Sequence, residues 1–273
     1  MAGRSILMLF DNMNKDYVAR LHSGVRRFAA SAGCVITANN IHENGAKVRD
    51  LLGEAGVDGV ILTAPISDDR HVMLEIEKRG LPFARVAHML DPGRGITVSM
   101  DEYEAARSIT SLLLQAGHRR VGIIRGPRSH LSSIRRYNGF TAALGEKGAK
   151  LDPSLIVEGA YTRQSGEEAG ARLLAAGPTA IFASNDAMAA GLADAARKKG
   201  LSLPRDLSIV GFDDDPIAKT MHPPLSSIRQ PLEEMGAKAC GMLVAAMANK
   251  GSRNAHADVP FDIVERSSVV AAA

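Results

Sequence analysis

The chain has 273 residues, of which 45% are hydrophobic and 23% are charged, and its formal net charge is +3. This length suffices for one large domain or two of moderate size, and the composition is that of a folded protein rather than a disordered one. The basic residues are scattered in short pairs such as Arg26-Arg27 and Arg119-Arg120. Solvated helix faces explain them better than a nucleic-acid-binding stripe.

The two cysteines, Cys34 and Cys240, lie far apart in the chain. This argues against a disulfide framework or a zinc site and fits a reducing compartment. The N-terminal stretch MAGRSILMLFDN has too short an apolar run for a signal peptide, and no run approaches the ~20 apolar residues of a membrane span. We therefore expect a cytoplasmic protein with no membrane partner.

Short apolar runs recur along the chain and predict the buried strands of parallel sheets. Five runs are strong, three are weaker, and the stretch 259–270 is also strand-like. The strong runs lie at 6–10, 59–64, 121–126, 180–184 and 208–212, and the weaker ones at 34–37, 82–87 and 155–159.

Amphipathic helices are predicted between these strands, because apolar residues recur there at helical spacing. Asp101 and Glu104 at the start of one of them have the spacing of a capping box. The clearest helices span Val18 to Ala32, Asp101 to Ala116, 190–196 and Leu232 to Ala248.

Alternating strands and helices predict an α/β fold with doubly wound parallel sheets. The pattern restarts near residue 120, and two similar lobes are more economical than one sheet of ten or more strands. The segments 95–100 and 223–231 are extended and suit crossings between lobes. We assign 1–100 plus 231–250 to the first lobe and 101–230 plus 251–273 to the second.

Polar side chains follow the predicted strands. In open parallel sheets, ligands bind at the carboxyl ends of the strands, so two facing lobes would bring these residues together in a cleft. They offer hydrogen-bond donors, acceptors and an aromatic ring, which suits a polyhydroxylated ligand. The residues include Asp11, Asn12, His88, Tyr161, Asn185, Asp186 and Asp213.

Several of these residues also have a structural interpretation. Asn185 or Asp186 could cap the following helix. Tyr161 could simply pack, and a lone histidine such as His88 is usually structural. The segment Asp214–Pro216 suits a turn and a helix start exposed to solvent.

The chain lacks the common catalytic motifs. It has no GxGxxG after a strand, no GxxxxGK[ST], no HExxH and no GxSxG. The three consecutive aspartates at 213–215 suggest Mg²⁺ only weakly, since successive residues there point in different directions. We therefore expect no enzyme activity, no cofactor and no metal.

Residues 179–236, beginning TAIFASNDAMAAG and including SIVGFDDDP and PPLSSIRQP, resemble the effector-binding core of LacI-family bacterial transcription regulators. The segments QAGHRRVGIIRGP (115–127), SSIRRYNGFTAAL (132–144) and PFDIVERSS (260–268) extend the resemblance to essentially the whole chain. It implies a periplasmic-binding-protein-like fold of type I, in which three crossings join two lobes with a ligand cleft between them.

The resemblance also implies an effector site. Arg136 matches an arginine that grips polar effector groups, Asn185 an effector-contacting asparagine, and Asp213 the aspartate after a GF strand. Gln230 matches the glutamine of the last crossing, and Tyr161 an aromatic that stacks on the ligand. The full set of candidates is Asp11, Tyr17, His88, Arg136, Tyr161, Asn185, Asp213 and Gln230.

One departure concerns the effector itself. Where the family often has an aspartate that binds sugar hydroxyls, this chain has Ala87-His88. The effector of the lactose or ribose members therefore cannot be carried over, although a carbohydrate remains the expected class.

The expected function is the effector-sensing and dimerisation core of a transcription regulator, in the role of a repressor. We expect a homodimer, with contributions from first-lobe helices near 46–55 and 69–79 and from second-lobe surface. Operator DNA would be reached only through a helix-turn-helix headpiece, and this chain starts at the first strand of the core, as expected of a truncated form or, alternatively, of a natural homologue without a headpiece. The alternatives are a solute-binding protein of a sugar transport system, which would need a secretion signal, and an enzyme on the same scaffold.

Overall fold

A computed structural model of the chain describes residues 3–12, 14–41, 48–53 and 56–272. The chain divides into two compact units. The first unit comprises Met1–Met100 with Pro231–Pro260, and the second comprises Asp101–Gln230 with Phe261–Ala273. The chain therefore passes between the units three times, as the family resemblance implies.

The first unit contains a six-stranded sheet. Its strands are β1 (Ser5–Phe10), β2 (Val35–Asn40), β3 (Val57–Thr63), β4 (Phe83–Val86), β5 (Ile96–Ser99) and β11 (His256–Asp258). They lie in the order β11-β5-β4-β3-β1-β2, and every neighbouring pair is parallel. The helices of this unit are α1 (Lys15–Ser31), α2 (Val48–Gly53), α3 (Arg70–Glu77) and α9 (Leu232–Met247).

The second unit repeats this arrangement. Its strands are β6 (Val121–Arg125), β7 (Ile156–Glu158), β8 (Ala180–Ala183), β9 (Ser208–Asp213), β10 (Ser226–Arg229) and β12 (Asp262–Val264). They lie in the order β12-β10-β9-β8-β6-β7, and only the β10–β12 pair is antiparallel among the described pairs. The helices are α4 (Glu102–Gln115), α5 (Leu131–Glu146), α6 (Arg163–Leu173), α7 (Asp186–Lys198) and α8 (Pro216–Thr220).

The predicted α/β fold with two parallel sheets is confirmed. The strands β6, β8 and β9 are buried along their whole length, because both faces of the sheet are covered. Such strands are nearly continuous apolar runs, which is why they could be predicted from the sequence. Among the described residues, no helix combines the length and the apolar content needed to cross a bilayer.

The assignment of residues 251–260 to the second lobe is wrong. β11 pairs with β5, from His256 opposite Thr97 to Asp258 opposite Ser99, so this segment belongs to the first unit. The last crossing therefore follows Pro260. A three-residue edge strand has too little periodicity to be predicted from the sequence.

Two helix predictions are also refined. Asp101 caps α4 by accepting the Glu104 backbone N–H at 3.0 Å, but the Glu104 carboxylate pairs with Arg107 at 2.6 Å instead of completing a capping box. The helices expected near 46–55 and 69–79 are α2 and α3, and positions 46, 47, 54 and 55 lie outside the described residues.

Candidate functional site

The second unit contains a buried polar cluster around Arg136, which lies on α5. Its Nε and Nη2 atoms donate to the two carboxylate oxygens of Glu102 at 3.1 and 3.2 Å. Its Nη1 atom donates to the Ser184 carbonyl at 2.6 Å, and the guanidinium carbon lies 3.7 Å from the centre of the Phe212 ring. Residues at the start of α4, after β8 and in β9 thus fix the position of this arginine.

Asp213 and Gln230 complete the cluster. The Gln230 amide donates to the Asp213 carboxylate at 2.6 Å, and that carboxylate lies 3.8 Å from Arg136 Nη1. Asp213 ends β9 with φ at +113°, a strained backbone conformation for any residue other than glycine. Three of the predicted site residues therefore lie together at the carboxyl end of this sheet.

The charges in the cluster shift each other's pKa. Burial raises the pKa of Asp213 to about 7, although Arg136 and the Gln230 hydrogen bond act in the opposite direction. Burial alone would lower the pKa of Arg136, but Glu102, Tyr161 and Asp213 raise it above its ordinary value. Arg136 is therefore a permanent cation, whereas Asp213 can exchange a proton near neutral pH.

Asn185 has a structural role in this cluster. Its Oδ1 atom accepts the Met188 backbone N–H at 2.9 Å and so caps α7, which confirms the capping alternative for Asn185 rather than Asp186. Its Nδ2 atom donates to the Tyr161 carbonyl at 3.0 Å. The side chain therefore links the start of α7 to the loop that carries Tyr161.

The Tyr161 side chain packs closely against the loop that follows β6. A Cβ atom on Gly126 would lie only 2.1 Å from the Tyr161 ring carbon Cζ, so the ring requires glycine there. The Tyr161 hydroxyl lies 3.4 Å from Ser132 Oγ, and its ring centre lies 5.7 Å from that of His130. Tyr161 itself has φ at +60°, which its packing and the Asn185 bond hold in place.

The turn after β9 is buried, so the solvent-facing interpretation of Asp214 and Asp215 is wrong. Both have at most 6% of their surface exposed. The Asp214 carboxylate accepts hydrogen bonds from Arg229 at 2.8 Å and Arg266 at 2.6 Å, and these bonds lower its pKa against the opposing effect of burial. The turn assignment itself holds, because Asp215 precedes α8.

The Asp186 carboxylate stabilises this turn through two hydrogen bonds. One carboxylate oxygen accepts the Asp215 backbone N–H at 2.8 Å, and the other accepts the Ser227 hydroxyl at 2.7 Å. Burial raises its pKa well above the ordinary value, and the charges of Asp213 and Asp215 add to the shift. The approach of Asp186 also explains Gly211, where a Cβ atom would lie 2.1 Å from the carboxylate oxygen.

Sequence reasoning missed the partners of the predicted site residues. Glu102 lies in the first turn of α4, and its contact with Arg136 joins positions 34 residues apart. The Ser184 carbonyl is a backbone group, which no side-chain pattern reports. Only the position of Glu102, two residues after the predicted crossing at 95–100, could have drawn attention to it.

The first unit holds the other three candidates. Asp11 directly follows β1, and Tyr17 lies in the first turn of α1, which Asn14 caps through hydrogen bonds from Asp16 and Tyr17 N–H. His88 follows β4 and is buried, with its ring edge-on to His256 at 5.6 Å between centres. Asp11 and His88 thus lie beyond strand ends in the first sheet, as predicted.

The loop that carries His88 is anchored by Arg85, a charged residue in the middle of β4. The side chain of Arg85 is completely buried and its Nη2 donates to the Asp68 carboxylate at 2.6 Å. That carboxylate also accepts the backbone N–H groups of Met89 and Leu90. The remaining donors of Arg85 bond to the carbonyls of Ser67, Leu90, Asp91 and Arg94.

Comparison with known proteins identifies the family. Residues 110–269 match the periplasmic binding protein-like domain. The chain is 35% identical over 237 residues to the HTH-type transcriptional regulator DegA of Bacillus subtilis strain 168, covering 81% of this chain and 67% of DegA. A regulatory protein of the LacI family from Chloroflexus aggregans superposes with a TM-score of 0.87 at 28% identity, covering 97% of this chain and 98% of that one. This chain belongs to the LacI family.

Further similar proteins are also transcription regulators. The complex of the transcriptional regulator CelR with cellobiose superposes with a TM-score of 0.89 at 25% identity, covering 98% of this chain and 86% of CelR. Transcriptional repressors are among the further relatives. The resemblance stated from the motifs is therefore confirmed, and the chain is the effector-sensing core of a transcription regulator rather than a transport protein.

Proposed function

We propose that this LacI-family core binds a carbohydrate effector, and that Arg136, Asp213 and Gln230 contact it. The observation that carries the proposal is the buried cluster of these three side chains at the carboxyl end of the second sheet. A guanidinium supplies donors in a fixed fork, and a carboxylate supplies acceptors, so together they match neighbouring sugar hydroxyls. The cellobiose complex of the relative CelR supports the carbohydrate class.

The remaining candidates are proposed as further contacts of the same effector. Tyr161 would offer a ring face to a sugar, and Asn185 would hold the Tyr161 loop in position through its amide bond. The candidates from the first unit, proposed as further effector contacts, are Asp11, Tyr17 and His88.

The proposed activity is binding rather than catalysis. Arg136, Asp213 and Gln230 bond to one another or to fixed neighbours, which suits recognition of hydroxyl groups. Within the part of the chain that the structure describes, no three His, Cys, Asp or Glu side chains are arranged to hold a metal ion.

The proposal extends to partners and location. Regulators of this kind read two-fold symmetric DNA as dimers, so we propose a homodimer that acts in the cytoplasm. Operator DNA would be contacted through a helix-turn-helix segment outside this sequence, as the HTH-type name of DegA indicates for that relative.

The test is a thermal-shift screen of pentoses, hexoses, disaccharides including cellobiose, and purines. A ligand that binds only the folded state stabilises it by about 2.7 kcal/mol at a hundred-fold excess over its dissociation constant, which a melting curve resolves. At least one carbohydrate should raise the melting temperature in a saturable manner, and titration calorimetry should confirm it. A screen in which only purines do so would contradict the carbohydrate class.

A further inference from the structure

Arg136 meets its effector with its charge already compensated. Glu102 accepts from two of its nitrogens, and the Asp213 carboxylate lies 3.8 Å from the third. The three side chains are at most 8% exposed. Charges interact strongly in such surroundings, so the two carboxylates outweigh the single guanidinium whenever Asp213 is ionised.

The donors that Arg136 has left for a ligand also favour a neutral hydroxyl over an anion. A guanidinium has five N–H groups, and three of those of Arg136 bond to Glu102 and the Ser184 carbonyl. Two N–H groups, one on Nη1 and one on Nη2, therefore remain for a ligand. A neutral hydroxyl can accept from them without adding charge, whereas a phosphate or a carboxylate would place another anion beside Glu102 and Asp213.

The rest of the cluster adds to this preference. The buried carboxyl of Asp186 is held by two neutral groups, the Ser227 hydroxyl and the Asp215 backbone N–H. Burial raises its pKa, and it raises the pKa of Asp213 as well, because negative charge is unfavourable at these two buried positions. A ligand that brings further negative charge meets the same unfavourable electrostatics.

We infer that the effector presents uncharged hydroxyl groups to Arg136, and that Glu102 and Asp213 determine specificity by excluding sugar phosphates and sugar acids from that position. This inference rests on the proposed function and narrows its substrate class.

Inorganic phosphate is the probe for the test, because it carries the excluded charge without a sugar attached. At about pH 8, above the pKa of about 7 of Asp213, any phosphate binding that titration calorimetry detects in the wild-type protein should be unchanged by Arg136→Ala. The variant Glu102→Gln/Asp213→Asn leaves Arg136 uncompensated. It should bind phosphate at least ten-fold more tightly than the wild type, and adding Arg136→Ala should remove the gain.

A matched variant, Glu104→Gln/Asp206→Asn, removes the same charge from exposed ion pairs with Arg107 and Arg205 and should show no such gain. Melting curves establish that each variant is folded. If the double variant does not fold, Glu102→Gln alone, which keeps an acceptor for Arg136, should still bind phosphate more tightly than the wild type.

Arg136-dependent phosphate binding by the wild type would overturn the inference, and so would folded variants with no gain. Neither result bears on whether a sugar binds. A sugar screen without any response would instead overturn the proposed function.

Discussion

Arg85 and Arg136 are both buried, but they differ in how many of their donors are used. All five N–H groups of Arg85 bond to a carboxylate or to backbone carbonyls. Arg136 makes three such bonds and retains two donors. A buried arginine with all donors satisfied can hold a loop but has nothing to offer a ligand, whereas one with donors to spare can bind hydroxyl groups.

Replacing Arg136 or Asp213 by alanine should weaken effector binding at least thirty-fold, roughly 2 kcal/mol. Each change leaves ligand hydroxyls without a partner and leaves the remaining charge of the pair poorly compensated. Titration calorimetry with the carbohydrate from the screen measures the effect. Arg107→Ala, which removes partly exposed ion pairs with Glu104 and Glu146, is the control and should leave affinity unchanged.

Stability must be measured alongside affinity. Arg136→Ala also leaves the buried carboxylate of Glu102 without its cation. Removing one partner of a buried pair lowers the free energy of unfolding by about 3–5 kcal/mol. The variant Arg136→Ala/Glu102→Gln relieves that cost and should still bind poorly. Affinity within about three-fold of the wild type for both Arg136 and Asp213 variants would contradict the assignment of these residues to the site.

Asp186 should make stability depend on pH. Its pKa in the folded state lies above the ordinary value of 3.8. Between these two pKa values the folded protein binds more protons than the unfolded chain. The free energy of unfolding should therefore fall as pH rises through the folded-state pKa. Asp186→Asn, whose amide cannot ionise, should lose this dependence and gain stability relative to the wild type at high pH.

Melting curves of the two proteins between about pH 5 and about pH 8 test this prediction. The amide can still accept the Asp215 N–H and can donate to the Ser227 hydroxyl, so the turn is expected to keep its hydrogen bonds. Parallel curves for the wild type and the variant would contradict a raised pKa at Asp186.

At the scale of elements, helices in each unit pack closely against each other where one of them has a glycine. A Cβ atom would lie 1.8 Å from the Glu233 carbonyl if added at Gly24 of α1, and 1.9 Å from the Arg163 carbonyl if added at Gly191 of α7. At Gly139 of α5 it would lie 2.2 Å from the Tyr103 carbonyl of α4. Backbone therefore packs on backbone in the pairs α1–α9, α4–α5 and α6–α7.

Gly191→Ala should therefore destabilise the second unit by about 1–3 kcal/mol or more, since the added methyl group forces α6 and α7 apart. Gly145 on α5 is the matched control, because no atom lies within 4 Å of an added Cβ. Gly145→Ala should leave stability unchanged or raise it by up to about 1 kcal/mol. Urea unfolding compares the two, and equal midpoints would contradict the close helix contact.

The elements differ in how far the sequence predicts them. Buried strands such as β8 and helices such as α4 carry a local pattern of apolar residues, so they could be predicted without tertiary information. The strand β12 lies within the strand-like stretch 259–270, whereas β11 has three residues without such a pattern and forms only through β5, far away in the chain. Within the site, the positions of Arg136 and Asp213 followed from motifs. Their pairing with Glu102 and the burial of Asp214 depend on contacts that no local pattern contains.

At the scale of the whole molecule, we predict a homodimer. Sedimentation equilibrium at tens of micromolar, about ten-fold above an ordinary weak-dimer constant of a few micromolar, should show it. Leu74 on α3 is 45% exposed, and Leu74→Glu should weaken the dimer if α3 contributes to the contact. Leu151→Glu, at a similarly exposed leucine of the second unit, is the control. A monomer throughout this range would contradict the prediction.

The order of residues in the two units has a consequence for synthesis on the ribosome. Domains usually fold as they emerge, the N-terminal one first. Here the first unit must wait for α9, whose buried Leu232, Met235 and Leu243 complete its core, and for β11 at its sheet edge. The second unit has five of its six strands once residue 229 has emerged. The unit whose synthesis begins later is therefore the first that can close its core, and the strands β1 to β5 stay incompletely covered until α9 has emerged.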